Sequence, residues 1–175
     1  MIDSLAIYKQ ANSIVRQSGT RDVRKIAQDL GIMVSYTDHF QDLLGLYTIQ
    51  WKHRIILLNN RLDENMEQMV LAHEIGHDRR HRDLAMNNGL REFVLFNMKD
   101  ETEYEANAFA AHLLLPDEEI YSLARQEMDV VQIAQAMKSN INLVLIKLQE
   151  MNKIGFDFKL PYDPDSKFFK KIRLS

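Results

Sequence analysis

A run of histidines and charged residues at positions 72–81, AHEIGHDRRH, carries side chains that could do metal chemistry. His73 and His77 are four residues apart, which places both on the same face of a helix. In the pattern His-Glu-x-x-His, two such imidazoles bind Zn²⁺, and the glutamate between them, here Glu74, stands beside the metal as general base. The run therefore predicts a catalytic zinc site; the competing interpretation is a helix that is merely rich in histidine.

The helix that carries this run is predicted to begin after Asp63 and to continue to about residue 82. The stripe of the two histidines also contains Met66, Met69 and Val70, and the opposite side contains Leu71 and Ile75. We therefore expect the helix to be covered on both sides. Two buried imidazoles need partners for their ring nitrogens, and a divalent metal ion meets that need. Gly76, on the same stripe, leaves room for another backbone to approach.

A catalytic zinc site needs a third protein ligand, and four residues compete for that place. Asp83 has the spacing of the third ligand of metzincins, but those enzymes carry a glycine where this chain has Arg80. His81 lies one turn beyond His77, too far along the helix to share one ion with the pair, and is better placed as a supporting or structural residue. His112 and Glu103 belong to a later helix.

That later helix, predicted over residues 101–115, has one apolar stripe, formed by Ala106, Phe109, Ala110, Leu113 and Leu114. Glu103 lies at the edge of the stripe and points toward the interior, where a carboxylate is costly without a cation. Glu101, Glu105 and His112 fall on the other side, and we expect them on a solvated surface. Glu103 is therefore the predicted third ligand. Asn107, one turn further on, could hydrogen-bond a histidine ligand and fix its orientation.

The elements that must position these residues begin with two amphipathic helices, at residues 4–17 and between Thr20, as N-cap, and Gly31. Three short segments rich in β-branched, aromatic and aliphatic residues follow, at 32–36, 44–50 and 54–58. The last two form a predicted hairpin around Trp51-Lys52. A small antiparallel sheet is the expected result.

Beyond the histidine helix, residues 83–99 contain a predicted turn at Asn87-Asn88-Gly89 and are otherwise assigned to neither helix nor strand. Pro116 ends the helix of Glu103 and can begin the next helix, 117–126. Short helices at 129–138 and 141–151 precede an irregular tail. The predicted fold class is α+β, with a three-stranded, mainly antiparallel sheet packed on helices. Residues 1–126 form the predicted catalytic domain, and residues 127–175 form a helical, helix-turn-helix-like subdomain and the tail.

Composition narrows the function classes further. The 175 residues are 46% apolar and 27% charged with a formal net charge of −3, whereas a nucleic-acid binder usually has a basic excess. There is no cysteine, so a metal must be held by His, Asp, Glu or backbone groups. The N-terminus lacks a leader pattern and no apolar run could span a bilayer, so we expect a soluble, cytoplasmic protein without membrane contact.

Two motifs taken together resemble the ImmA/IrrE metallopeptidases. HEIGH and the downstream ETEYEANAFAAHLLLP are similar to the family's His-Glu-x-x-His helix and its Glu-x-x-Ala-Asn/Asp-x-Phe-Ala-Ala-x-Leu-Leu-x-Pro pattern. The likeness includes the strand HRIILLNN and extends over residues 20–152. It implies a small zincin-like fold with one Zn²⁺ on His73, His77 and Glu103 and with Glu74 as general base. Thermolysin-like relatives commonly have Asp at the position of Asn107, but the ImmA/IrrE pattern allows asparagine.

The resemblance also implies a substrate class: helix-turn-helix repressors, often encoded beside the peptidase in phages and mobile elements or controlling a stress response. The alternative is a metal-stabilised regulator that binds a repressor or DNA without cutting. Direct DNA binding is not expected, because the charges of the C-terminal helices cancel whereas a recognition surface is basic. These charges are Asp129, Lys138, Lys147 and Glu150. Tyr47, Tyr104 and His81 all stay open as partners for a developing oxyanion.

Overall fold

The computed structural model describes residues 2–92 and 100–160. In chain order, its elements are α1 (Ser4–Ser18), α2 (Val23–Asp29), β1 (Met33–Thr37), β2 (Gly45–Gln50), β3 (His53–Asn59), α3 (Glu64–Arg80), α4 (Arg82–Asn88), β4 (Leu90–Glu92), α5 (Glu101–Leu114), α6 (Asp117–Arg125), α7 (Val130–Ala136) and α8 (Ile141–Lys153). The predicted α+β class is confirmed. In the part of the chain that the structure describes, no helix has both the length and the apolar composition needed to cross a bilayer.

Capping side chains fix where the two central helices begin. The Asp63 carboxylate accepts a hydrogen bond from the backbone N–H of Met66 at the start of α3, as predicted. At the start of α5, Asp100 accepts from the N–H groups of Thr102 and Glu103, which anchors the turn that carries Glu103. The predicted cap of α2 was wrong by two residues: Asp22 caps that helix, and its carboxylate accepts hydrogen bonds from the N–H groups of Arg24 and Lys25 in the first turn.

The sheet has the strand order β1-β3-β2-β4. Strands β2 and β3 form the predicted hairpin, and Trp51 and Lys52 at its turn both have positive φ angles, of 52° and 66°. The sheet is mainly antiparallel, as predicted, but it has four strands where three were expected, and one of its pairings is parallel. The short strand β4 adds a fourth member beside β2, and β1 runs parallel to β3 because the hairpin returns its second strand between β2 and β1.

Helix α3 lies in the middle of the molecule and is buried continuously from Met69 to Asp78. Strands β2 and β3 cover one side of it and α5 covers the other, which confirms the predicted coverage of both faces. Helix α5 is in turn covered by α1 and α8 on its side away from α3. The residues that could bind metal therefore lie at the contact between two buried helices.

The C-terminal helices pack onto this centre. On α8, Glu150 accepts a hydrogen bond from the hydroxyl of Tyr104 on α5, and Lys147 pairs with Asp117 at the start of α6. The domain division at residue 126 stays a prediction. Helix α4 and strand β4 occupy most of the segment that the sequence left unassigned; its remainder, residues 93–99, and residues 161–175 of the predicted tail lie outside the described residues.

Candidate metal centre

Three predicted ligands meet at the contact between α3 and α5. Ligand atoms of His73, His77 and Glu103 all lie within 4.8 Å of one another. The Nε2 atoms of the two histidines are 2.9 Å apart, and the carboxylate oxygens of Glu103 lie 3.2 Å from Nε2 of His73 and 3.6 Å from Nε2 of His77. Both imidazoles are buried, while the Glu103 side chain keeps 20% of its surface exposed. Solvent can therefore reach this group of three residues from the side of Glu103.

The close approach of the two helices depends on Gly76. A Cβ atom at this position would lie 3.0 Å from both the Cα and the carbonyl oxygen of Ala106, and 3.3 Å from Cβ of Phe109. The missing side chain lets the α5 backbone lie directly against α3. Because Glu103 is one turn before Ala106, this contact brings its carboxylate to the histidines.

The orientation of His73 is fixed by Asn107. The Oδ1 atom of Asn107 lies 2.9 Å from Nδ1 of His73, and both residues are buried. An amide oxygen can only accept a hydrogen bond, so Nδ1 of His73 carries the proton and its Nε2 lone pair points to His77 and Glu103. This is the tautomer that a metal ligand needs.

Glu74 is fully buried on the side of α3 that faces the sheet. A Cβ atom on Gly45, the first residue of β2, would lie 2.6 Å from Oε1 of Glu74 and 2.7 Å from Cγ1 of Val70. The absent side chain of Gly45 therefore makes the space that the carboxylate occupies. Gly45 was not predicted from the sequence, since a glycine at the start of a strand is also typical of an ordinary turn.

The donor set fits a divalent metal ion. Burial lowers the pKa of His77 to about 4, although Glu103 acts in the opposite direction, so the imidazole is neutral at neutral pH and can bind metal. A tetrahedral zinc ion with bonds of about 2.0–2.1 Å holds its donor atoms about 3.3 Å apart. The distances between the three donors lie close to that value. Two neutral imidazoles and one carboxylate are a known ligand set of catalytic zinc.

Asp78, which follows His77, ties α3 to the sheet. Its buried carboxylate accepts hydrogen bonds from Tyr47 Oη at 2.8 Å, from Arg54 Nη1 at 3.0 Å and from Arg82 Nη2 at 3.1 Å. Asp78 was not among the residues whose role was predicted from the sequence. A signal existed, because Asp78 is an acidic residue on the second apolar face of α3, beside Leu71.

Two of the three candidate partners for the oxyanion are tyrosines whose hydroxyl groups already donate a hydrogen bond to a buried carboxylate. Burial and the neighbouring Asp78 raise the pKa of Tyr47, and its hydroxyl donates to that carboxylate. Burial and Glu150 likewise raise the pKa of Tyr104, whose hydroxyl donates to Glu150. The third candidate, His81, lies behind His77, with its Nδ1 atom 3.0 Å from Nδ1 of that histidine.

Two of the residues weighed as third ligand lie elsewhere. Asp83 is exposed at the start of α4, and it is not part of the ligand group within the described residues. His112 was predicted on a solvated surface, and this was wrong: it is fully buried, with Nδ1 3.0 Å from Nζ of Lys147 and its ring against Tyr8. Glu105 also departs from that prediction, since it is largely buried and paired with Arg80. Helices α1 and α8 cover this face of α5, which a single apolar stripe did not reveal.

Comparison with known proteins shows similarity to a peptidase family and to a phage protein. Residues 26–149 match the peptidase family described as the IrrE N-terminal-like domain. A protein of Bacillus phage phi105, described as uncharacterized immunity region protein 2, is 26% identical over 141 residues, which are 81% of this chain and 87% of that protein.

Proposed function

The chain belongs to the peptidase family of the IrrE N-terminal-like domain, and from that premise we propose that it is a zinc-dependent endopeptidase that cleaves a helix-turn-helix transcriptional repressor. The observation that carries the proposal is the grouping of His73, His77 and Glu103 within 4.8 Å, with Glu74 on the same helix. A histidine pair that served only to fill the core would have no use for two carboxylates at this point.

When bound, a divalent metal ion supplies Lewis acidity, which makes water a stronger acid and a peptide carbonyl a better electrophile. The three ligands would hold that ion, and Asn107 would keep His73 in the required tautomer. Glu74 would accept the proton of the attacking water at its carboxylate and deliver it to the nitrogen of the leaving amine. The pocket formed by Gly45 would keep that carboxylate in place.

The substrate class rests on two supports. The phage relative is described as an immunity region protein, and the ImmA/IrrE resemblance implies repressor substrates. Cleavage of a repressor would relieve repression in a phage, a mobile element or a stress response. Because such repressors act on DNA, the proposed place of action is the cytoplasm.

The test mixes the purified protein with the repressor encoded beside its gene, with zinc or with a chelator, and compares Glu74→Gln. We expect cleavage by the zinc-loaded protein, none in chelator, and a rate at least about 100-fold lower for Glu74→Gln, which still binds zinc and repressor. An intact repressor, under conditions where it binds the zinc-loaded protein, would refute the peptidase and favour the non-cleaving regulator. A salt-dependent shift of promoter DNA by this protein alone would favour DNA binding instead.

A further inference from the structure

The outer ring nitrogen of His77 faces a second histidine. Nδ1 of His81 lies 3.0 Å from Nδ1 of His77, and the ring centroids are 5.1 Å apart with the planes tilted by 57°. His81 ends α3: its backbone has φ −130° and ψ 28°, and its N–H donates to the carbonyl of His77. The ring of His81 lies against the turn of α3 that carries His77.

The protons in this contact can be assigned by exclusion. If Nε2 of His77 binds a metal, Nδ1 of His77 carries the proton and donates it, so Nδ1 of His81 must be the acceptor. The remaining ring nitrogen of His81, Nε2, then carries a proton. That atom lies 3.3 Å from Oε2 of Glu105, a carboxylate that can accept it.

Glu105 is held in turn by an ion pair. Its Oε2 atom accepts a hydrogen bond from Nε of Arg80 at 2.7 Å, and both side chains are largely buried. The ion pair with Arg80 makes Glu105 a charged acceptor for the Nε2–H group of His81. Helix α5 thus contributes one carboxylate, Glu103, to the ligand group and a second, Glu105, to the histidine behind it.

We propose that His81 and Glu105 are positioning residues for the metal ligand His77, with a chain of hydrogen bonds running from Glu105 through His81 to Nδ1 of His77. The proposal rests on the proposed function, because it requires His77 to bind metal. The two histidine ligands are then supported differently. The Nδ1–H group of His73 donates a hydrogen bond to a neutral amide, whereas that of His77 donates to an imidazole that a carboxylate polarises. The Nε2 atom of His77 should therefore be the more basic of the two metal-binding nitrogens.

The test measures zinc affinity by competition with a chelating dye, comparing the unmodified protein with His81→Ala, His81→Asn and Glu105→Gln. We expect His81→Ala to weaken zinc binding about 10- to 100-fold. His81→Asn, which can place an amide oxygen near the position of Nδ1, should recover at least half of that loss on a logarithmic scale. Glu105→Gln should give a smaller loss than His81→Ala. The matched control is His39→Ala, an exposed histidine, which should leave the affinity unchanged.

A purely structural role of His81 predicts a different pattern. It would lower the free energy of unfolding of the chelator-treated protein and leave zinc affinity unchanged. Unchanged affinity in His81→Ala, or equal losses in His81→Ala and His81→Asn, overturns the proposal. Nitrogen-15 NMR of the imidazoles gives a second readout: the zinc-loaded protein should show a protonated Nδ1 on His77 that exchanges slowly with water, and faster exchange in His81→Ala.

These outcomes separate the proposal from the proposed function. If the unmodified protein binds zinc and His81→Ala binds it equally well, only the positioning role fails. If His81→Ala loses zinc affinity while the unmodified, zinc-loaded protein leaves the bound repressor intact, the peptidase fails and the positioning role stands. If the unmodified protein binds no zinc, both are refuted.

Discussion

The backbone of Ala106 lies 3.0 Å from the point that a side-chain carbon on Gly76 would occupy. This contact sets the distance between α3 and α5, and with it the distance between the two histidines and Glu103. Helix α5 has little freedom to move away, because α1 and α8 pack against its other side. A single glycine thus couples helix packing to the geometry of the ligand group.

Gly76→Ala should destabilise the protein although alanine is the better helix former. The gain in helix propensity is about 1 kcal/mol, while overpacking a core typically costs about 1–3 kcal/mol. We expect a net loss of up to about 2 kcal/mol in urea unfolding and weaker zinc binding, since Glu103 must shift away from the histidines. Asn65→Ala, at an exposed position of α3, is the control and should change stability by less than about 0.5 kcal/mol. A variant more stable than the unmodified protein would contradict this explanation.

Helical periodicity is sufficient to place His73, His77 and Glu103 on stripes that the structure brings together. The period of a helix fixes which residues share a face, and the capping residues Asp63 and Asp100 fix where each helix begins. The hairpin at Trp51-Lys52 is equally local. These features depend on residues close in sequence, which explains why they could be predicted.

Features that depend on which elements meet were missed. The burial of His112 follows from the packing of α1 and α8 on a face of α5 that carries Tyr104, Ala108, Ala111 and Leu115. Those small and apolar residues were a signal, but they do not say what covers them. The parallel pairing of β1, the role of Gly45 and the pairing of Asp78 with Arg54 all arise between segments distant in sequence. The periodicity of a single helix or strand does not predict such contacts.

Removal of metal should lower the thermal stability of the protein. His73, His77 and Glu103 come from two helices and are together only in the folded state, so zinc bound there at a hundred times its Kd would stabilise that state by about 2.7 kcal/mol. For a chain of this size we expect a rise in Tm of about 5–10 °C when zinc is added to chelator-treated protein. Glu103→Gln should lose most of this rise, whereas Glu101→Gln, exposed two residues earlier, should keep it. Equal shifts in the two variants would remove Glu103 from the ligand set.

Asp78→Asn should be strongly destabilising. The substitution keeps the shape of the side chain but replaces one acceptor oxygen by a donor that faces Tyr47 and Arg54. We expect a loss of about 2–4 kcal/mol in urea unfolding, because buried donors lose their charged acceptor. Tyr47→Phe, which removes a single hydrogen bond, should cost about 1 kcal/mol. If Asp78→Asn were no more damaging than Tyr47→Phe, the carboxylate would not be the centre of this contact.

The buried His112 should make stability fall in acid. Burial, with the cation of Lys147 beside it, lowers the pKa of His112 to about 3 from its usual 6.5, and Asp117, which acts in the opposite direction, does not offset this. Between these values the unfolded chain binds a proton at His112 that the folded protein does not, so lowering the pH favours unfolding. The free energy of unfolding should fall by at most about 1.4 kcal/mol for each pH unit.

The measurement is urea unfolding from about pH 6.5 to about pH 4, in chelator so that metal loss does not contribute. The slope of unfolding free energy against pH should be shallower in His112→Gln, whose amide oxygen can still accept from Lys147. His39→Ala, exposed and remote, should keep the slope of the unmodified protein. Parallel lines for the unmodified protein and His112→Gln would mean that His112 is protonated in the folded state.

Gly45→Ala should separate proton transfer from metal binding. The new Cβ atom would lie 2.6 Å from Oε1 of Glu74 and must displace that carboxylate or the side chain of Val70, whereas its three nearest atoms include none of His73, His77 or Glu103. We expect zinc affinity to stay within about threefold of the unmodified protein and the rate of repressor cleavage to fall about 10- to 100-fold, since a displacement of about 1 Å at a catalytic group costs that much. Gln50→Ala, exposed at the far end of β2, should change neither quantity. An unchanged cleavage rate in Gly45→Ala would show that Glu74 tolerates the displacement, and would count against its role as the group that carries the proton.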